Sequence, residues 1–144
     1  MTRPKLHLGL LLERAGRVVD DRLSRSIGQD GITPEHWRVL CQLADEAGHT
    51  MGEIAERLEI NPPTLTKLVD RMVGKSLVQR AADAEDSRRV LVYITDAGLD
   101  LLRELQSKID QHHAALQALL GTRNARELER LLVMLVDAAE RPAA

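Results

Sequence analysis

Small hydroxyls and long cations gather in one short stretch of this chain. Thr64, Thr66, Lys67 and Arg71 follow the pair Pro62-Pro63. If the segment is a helix with its apolar side turned inward, Pro63, Thr64, Thr66, Lys67 and Arg71 point away from that side. Such a set suits the major groove of a nucleic-acid duplex. Threonine can touch a thymine methyl or donate a hydrogen bond, and lysine and arginine can reach phosphate or guanine. Further along, Asp86 stands two residues before Arg88, and Arg89 follows. A carboxylate can hold a guanidinium in a fixed fork, and an arginine at a hairpin tip fits a narrow minor groove, where the potential is most negative. The plainer readings are a solvated helix face and a surface ion pair of little worth. The surrounding elements decide between them.

Other reactive groups are few. Cys41 is the single cysteine, so no internal disulfide can form, and a reducing cytoplasm suits the chain. Its place beside Trp37 and Leu40, with no adjacent cation to lower its pKa, reads as a buried and inert thiol; the alternative is a thiol-redox sensor. His112 and His113 point about 100° apart on a helix, so they cannot share an ion without ligands from elsewhere. No Cys or carboxylate set completes a site, and neither metal nor cofactor is expected. Catalysis would need a nucleophile beside a base, paired acids in a cleft or a glycine-rich phosphate loop. The nine glycines are scattered, and an enzyme is not expected. No run of about eighteen uncharged apolar residues is present to span a membrane. The apolar stretch Leu8–Leu12 passes straight into charged helical sequence without a small-residue cleavage site, which does not read as a secretory signal.

The formal net charge is −2, but its distribution is uneven. Residues 61–94 hold six cations against four acids, whereas residues 34–60 hold two against six. Positive charge thus collects where the threonines are, as a phosphate-facing surface requires.

The elements that must position these groups can be read from apolar spacing and caps. The 144 residues suit one domain without internal repeats. With no phenylalanine, and Trp37 and Tyr93 as the only aromatics, its core must be aliphatic. Leu8, Leu11, Leu12, Ala15, Val18, Val19, Leu23 and Ile27 give a first helix that ends near Gln29-Asp30-Gly31. Thr33 caps a second, with Pro34 at its first position and Trp37, Leu40, Cys41 and Ala44 as its inner stripe. Thr50-Met51-Gly52-Glu53 is a capping box for a short third helix through Leu58. Asn61 caps a fourth that runs to about Val73, with Leu65, Leu68, Val69 and Met72 facing in. The period then changes to two over Leu77–Ala81 and Arg89–Ile94, the latter with Val90, Val92 and Ile94 on one face. The polar loop Ala82–Arg88 joins them as an antiparallel hairpin. Thr95 caps a long fifth helix that Gly121 stops, and Asn124–Glu127 can cap a sixth carrying Leu128, Leu131, Leu132, Leu135 and Ala139.

Two short helices joined by a tight turn and followed by a hairpin give a winged helix-turn-helix lobe. The stretch Met51–Gly98 resembles the DNA-binding core of the MarR family of bacterial regulators. The residues that carry the resemblance are MGEIAERLEINPPTLTKLVDRMV and LVQRAADAEDSRRVLVYITDAG, with Asp86-Ser87-Arg88 matching the wing signature D-x-R. Ile94–Gly98 fits the segment that follows the wing, and Gly31–Leu40 resembles the entry to the second helix. One departure is Ser76, where the family usually carries glycine. Gly74 stands two residues earlier as an alternative helix cap, and a non-glycine residue in a left-handed cap costs about 1 kcal/mol.

The expected fold is therefore mainly α with a small hairpin: a single domain over 1–144, with a winged lobe at 33–95 between dimerisation helices at 6–29 and 96–140. The terminal helices hold more apolar positions than the lobe can cover, and a second copy would bury them. A two-fold homodimer presents two recognition helices to a palindromic double-stranded operator with half-sites about 10 base pairs apart, or a multiple of that. The resemblance implies a cytoplasmic repressor attenuated by a small anionic or aromatic effector held where the dimerisation helices meet the lobe. By that analogy the candidate pocket residues are Arg14, Arg17, His36 and Trp37. A winged module that binds protein rather than DNA is the remaining alternative; it would lack the basic residues kept here.

Overall fold

The computed structural model of the chain describes residues 5, 7–29 and 31–143. Leu6, where the 6–29 helix is expected to begin, and Asp30 of the expected helix stop lie outside them, as do residues 1–4 and 144. The elements are α1 (Leu8–Ile27), α2 (Pro34–Leu43), α3 (Met51–Leu58), α4 (Pro62–Gly74), β1 (Val78–Ala82), β2 (Val90–Ile94), α5 (Asp96–Leu120) and α6 (Thr122–Glu140).

Three helix starts are written in threonine. The Thr33 side chain accepts the His36 N–H while the His36 ring takes the Thr33 N–H at 2.9 Å. Thr50 and Glu53 form the same reciprocal box at α3, and Thr95 Oγ1 accepts the Gly98 N–H at 3.0 Å. Each satisfies donors that a helix leaves orphaned. At α4 the expectation of a side-chain cap is corrected: Asn61 occupies the position but makes no such bond. Pro62 and Pro63 fill the first two helical positions and have no N–H, so two of the four orphan donors do not exist there.

The core lies within the lobe. Val39, Leu40 and Leu43 of α2, Ile54 of α3, and Leu65, Val69 and Met72 of α4 meet Val78 and Val92 of the hairpin. Leu23 and Ile27 at the end of α1 and Leu105 of α5 close it. The inner stripe of α2 is rotated by one residue from the expected one. His36, Val39, Leu40 and Leu43 are buried, Trp37 is half-buried at their margin, and Cys41 and Ala44 are exposed. The reason is the cap: with His36 folded back onto Thr33, the adjacent aliphatic row faces the core. Cys41 is therefore not a core residue, although neighbouring atoms exclude enough water to push its thiol up from the ordinary value.

The hairpin is antiparallel, with Val78 opposite Ile94, Arg80 opposite Val92 and Ala82 opposite Val90. Val92 and Ile94 are buried, but Val90 is 51% exposed. Leu91, on the opposite face, is buried as well, so the expected single face does not hold along β2: both sides are covered at Leu91 and Val92, and only Val90 at the tip end stands open. His49, before α3, exchanges both main-chain hydrogen bonds with Val92 at 3.1 and 2.8 Å, adding a one-residue third edge to the sheet.

Ser76 itself takes the left-handed position between α4 and β1, with φ +59°. Its N–H bonds to the Val73 carbonyl and that of Leu77 to the Met72 carbonyl, which closes the paired end-of-helix motif that glycine favours. Gly74 stays in the helix. Thr95 Oγ1 then donates to the Ser76 carbonyl at 2.6 Å, tying this turn to α5. Ser76→Gly should raise stability by about 1 kcal/mol, seen as a melting temperature higher by about 2–4 °C. An unchanged or lower value would show that the left-handed serine is not strained.

α6 begins three residues earlier than the Asn124–Glu127 reading. Gly121 is at its cap, and Asn124 Nδ2 instead donates back to the Leu120 carbonyl, finishing α5. Ala125 is the only buried residue on α6, so Leu128, Leu131, Leu132 and Leu135 lie open, as do Leu8, Leu10, Leu11 and Val18 on α1 and Leu119 and Leu120 on α5.

Candidate nucleic-acid interface

α4 turns Leu65, Leu68, Val69 and Met72 into the core, which leaves Pro63, Thr64, Thr66, Lys67, Asp70 and Arg71 exposed. Thr66 Oγ1 donates to the Pro62 carbonyl at 3.0 Å, so its proton is engaged and its methyl remains for an outside partner. Arg80 of β1 reaches across to Asp70 at 2.6 Å and neutralises the one acid on this face. Lys67 and Arg71 have no ion pair among the described residues. The result is a threonine-bearing, cationic helix side.

At the wing, the loop between β1 and β2 is organised by its aspartates. Asp83 Oδ1 accepts the Glu85 N–H at 3.0 Å, and Asp86 Oδ1 accepts the Arg88 N–H at 3.1 Å. The Arg88 Nε also lies 3.4 Å from Asp86 Oδ1, while its side chain is 91% exposed. Asp86 thus sets the backbone that carries Arg88, and the guanidinium stands free to meet a partner. Arg89 behaves differently. Its guanidinium leans back to Glu53 of α3 at 3.6 Å and Asp83 at 3.9 Å.

The four residues suggested for an effector are not gathered in one cavity of the described structure. Arg17 pairs with Glu13 on the exposed side of α1. Arg14 edges an apolar groove with Leu11, Val18, Leu116 and Leu128. Trp37 packs on the core. His36 is buried in its cap, with Nε2 unpartnered. Basic side chains converge elsewhere: Arg22 and Arg25 of α1 and the His112 ring of α5 line a cleft of about 460 Å³ with Ser26 and Gln111. Neither arginine has an ion pair among the described residues. Burial and the Arg22 charge hold His112 below its ordinary pKa. The spacing of Arg22 and Arg25 was visible in the sequence; their meeting with a histidine some ninety residues away was not, since it depends on how α1 packs along α5.

Burial also lowers the pKa of His36, helped by the charges of Lys75 and Arg71 and opposed by Glu35. A neutral His36 in the folded chain and a protonatable one in the unfolded chain mean that the unfolded state binds the extra proton first. Stability is then full above the unfolded value of 6.5 and falls as pH drops below it towards the lowered folded value. In His36→Gln, which keeps a cap acceptor, the urea midpoint should fall less between pH 7.5 and pH 5.5 (both about) than in the unaltered chain. Equal losses would remove His36 as the cause.

Two short helices, one presenting hydroxyls and cations, beside a hairpin with an arginine tip, define a winged helix-turn-helix protein. The MarR family profile matches residues 30–89, the part of the chain that holds α2 to α4 and the wing loop. It is similar to the transcriptional regulator MhqR of Bacillus subtilis, at 27% identity over 94% of this chain and 91% of the relative. Among solved structures it is similar to the transcriptional repressor CouR bound to a 23-mer DNA duplex. The TM-score is 0.83 and the identity 27%, over 90% of this chain and 92% of the other. It is likewise similar to the PcaV regulator of Streptomyces coelicolor in complex with its natural ligand. There the TM-score is 0.80 and the identity 27%, over 97% and 100% of the two chains.

Proposed function

We propose that this chain is a DNA-binding transcriptional regulator, a repressor that acts as a homodimer on a palindromic operator. The observation that carries the reading is the pairing of two exposed cationic features on one lobe. α4 offers Pro63, Thr64, Thr66, Lys67 and Arg71 with Asp70 neutralised, and the wing offers Arg88 on an Asp86-held loop. In this reading Thr64, Thr66 and Lys67 meet the major groove, Arg71 meets phosphate or base, and Arg88 enters the minor groove. The DNA-bound CouR structure supports the assignment by analogy of fold.

The homodimer rests on α6. A 19-residue helix with one buried residue lacks the tertiary packing that stabilises most helices in proteins. A second copy laid against α1, α5 and α6 supplies that packing and sets two recognition helices about 10 base pairs apart, or a multiple of that. The cleft of Arg22, Arg25 and His112 suits a small anion and is the better-formed effector site of the two considered. The Arg14, Arg17, His36 and Trp37 set would need its members brought together.

The test is selection of bound duplexes from a randomised pool, followed by titration of Arg88→Ala against the winning sequence at fixed salt. The substitution should weaken binding by about 1–3 kcal/mol, roughly 5- to 150-fold. Unchanged affinity would overturn the wing assignment. Failure of the unaltered chain to enrich any sequence would overturn the function.

A further inference from the structure

Arg89 sits beside the wing-tip arginine, yet its guanidinium turns back towards the lobe. One guanidinium nitrogen lies 3.6 Å from Glu53 Oε1 and another 3.9 Å from Asp83 Oδ2. Glu53 is itself fixed. Its Oε2 accepts the Thr50 N–H in the α3 cap and lies 3.3 Å from His49 Nδ1. His49 Nε2 is 2.8 Å from Asp45 Oδ2, Arg57 Nη1 is 3.4 Å from His49 Nδ1, and the His49 main chain is paired with Val92 of β2. A continuous polar chain therefore runs from the end of α2, through the start of α3, to the loop end of the wing.

We propose that Glu53 and Arg89 are positioning residues for DNA recognition, bracing the wing against α3 so that Arg88 stands at a set distance from the exposed side of α4. A two-stranded hairpin has little stability of its own, and this one outruns the lobe core at Val90. It needs an outside support to hold a fixed angle. Arg89 supplies it, with the carboxylates of Glu53 and Asp83 on two sides drawing its guanidinium back towards α3. Half-exposed pairs of this kind contribute little to overall stability, so the brace governs where the tip sits rather than whether the chain folds. The inference rests on the DNA-binding reading above.

The experiment uses a duplex selected by the unaltered protein and compares Glu53→Gln, Arg89→Gln and the double variant over a range of salt. Glutamine preserves the α3 cap, and melting curves check that each variant folds. A brace predicts that each single change weakens binding about fivefold, that the double is no weaker than either single, and that the salt slope is unchanged. Hydroxyl-radical protection of the minor groove at the operator flanks should also be lost while major-groove protection at α4 remains. If Arg89 contacts phosphate instead, Arg89→Gln should lower the salt slope by about one and Glu53→Gln should leave affinity equal or higher. That result, or additive losses in the double variant, would overturn the brace. An unaltered protein that selects no duplex would overturn the DNA-binding reading and the brace with it.

Discussion

Gly98→Ala should destabilise the lobe by about 3 kcal/mol and lower the melting temperature by about 10 °C. A Cβ on Gly98 would overlap the Leu77 carbonyl oxygen and come within 2.7 Å of Ile94 Cγ1. The first obstacle is backbone at the start of the wing, which cannot rotate aside as a side chain would. The junction is also crowded with hydrogen bonds. Thr95 donates its N–H to the Leu77 carbonyl and its hydroxyl to that of Ser76, and the Gly98 N–H bonds back to Thr95. Relief of the overlap must therefore move the wing, α5 or both. Gly74→Ala is the control, because a Cβ there meets nothing within 4 Å; it should cost nothing. A Gly98→Ala chain that melts like the unaltered one would show that α5 and β1 are not locked together here.

Leu131→Glu combined with Leu135→Glu should leave the chain monomeric and reduce its affinity for a selected operator by more than about 100-fold. Both leucines are 40% exposed in the single chain. A leucine fully buried by a partner contributes about 1.5–3 kcal/mol, and a carboxylate in its place would have to be buried without a partner. The change occurs in both copies, so the loss is doubled. Since α6 gives the lobe no buried residue besides Ala125, the winged core should keep its own stability. Sedimentation gives the oligomeric state and titration the affinity. A variant that still dimerises would place the interface elsewhere.

The caps of α2, α3 and α5 were legible in the sequence because a threonine and the residue three positions on form a local unit. The exposed face of α4 was legible for the same reason: Leu65, Leu68, Val69 and Met72 mark the inner side, and the rest must face out. Ser76 could be flagged as an unusual helix end, but its φ of +59° and the Thr95 hydroxyl that binds its carbonyl from nineteen residues away appear only in the structure. What stayed hidden was set at longer range. On α2 the spacing predicts Trp37, Leu40, Cys41 and Ala44 as the inner stripe, whereas the structure buries His36, Val39, Leu40 and Leu43. Asn124 looked like the start of α6 and instead ends α5. Arg89 looked equivalent to Arg88, and only the packing of the wing beside α3 separates the two. The convergence of Arg22, Arg25 and His112 likewise arises from the way α1 lies along α5.

The mass of the complex between the unaltered protein and its selected duplex tests the central claim most directly. Native mass spectrometry should find two chains on one duplex, and the same duplex cut to a single half-site should be bound far more weakly. One chain per duplex, with a single half-site bound as tightly as the whole, would contradict a regulator built from two joined winged lobes.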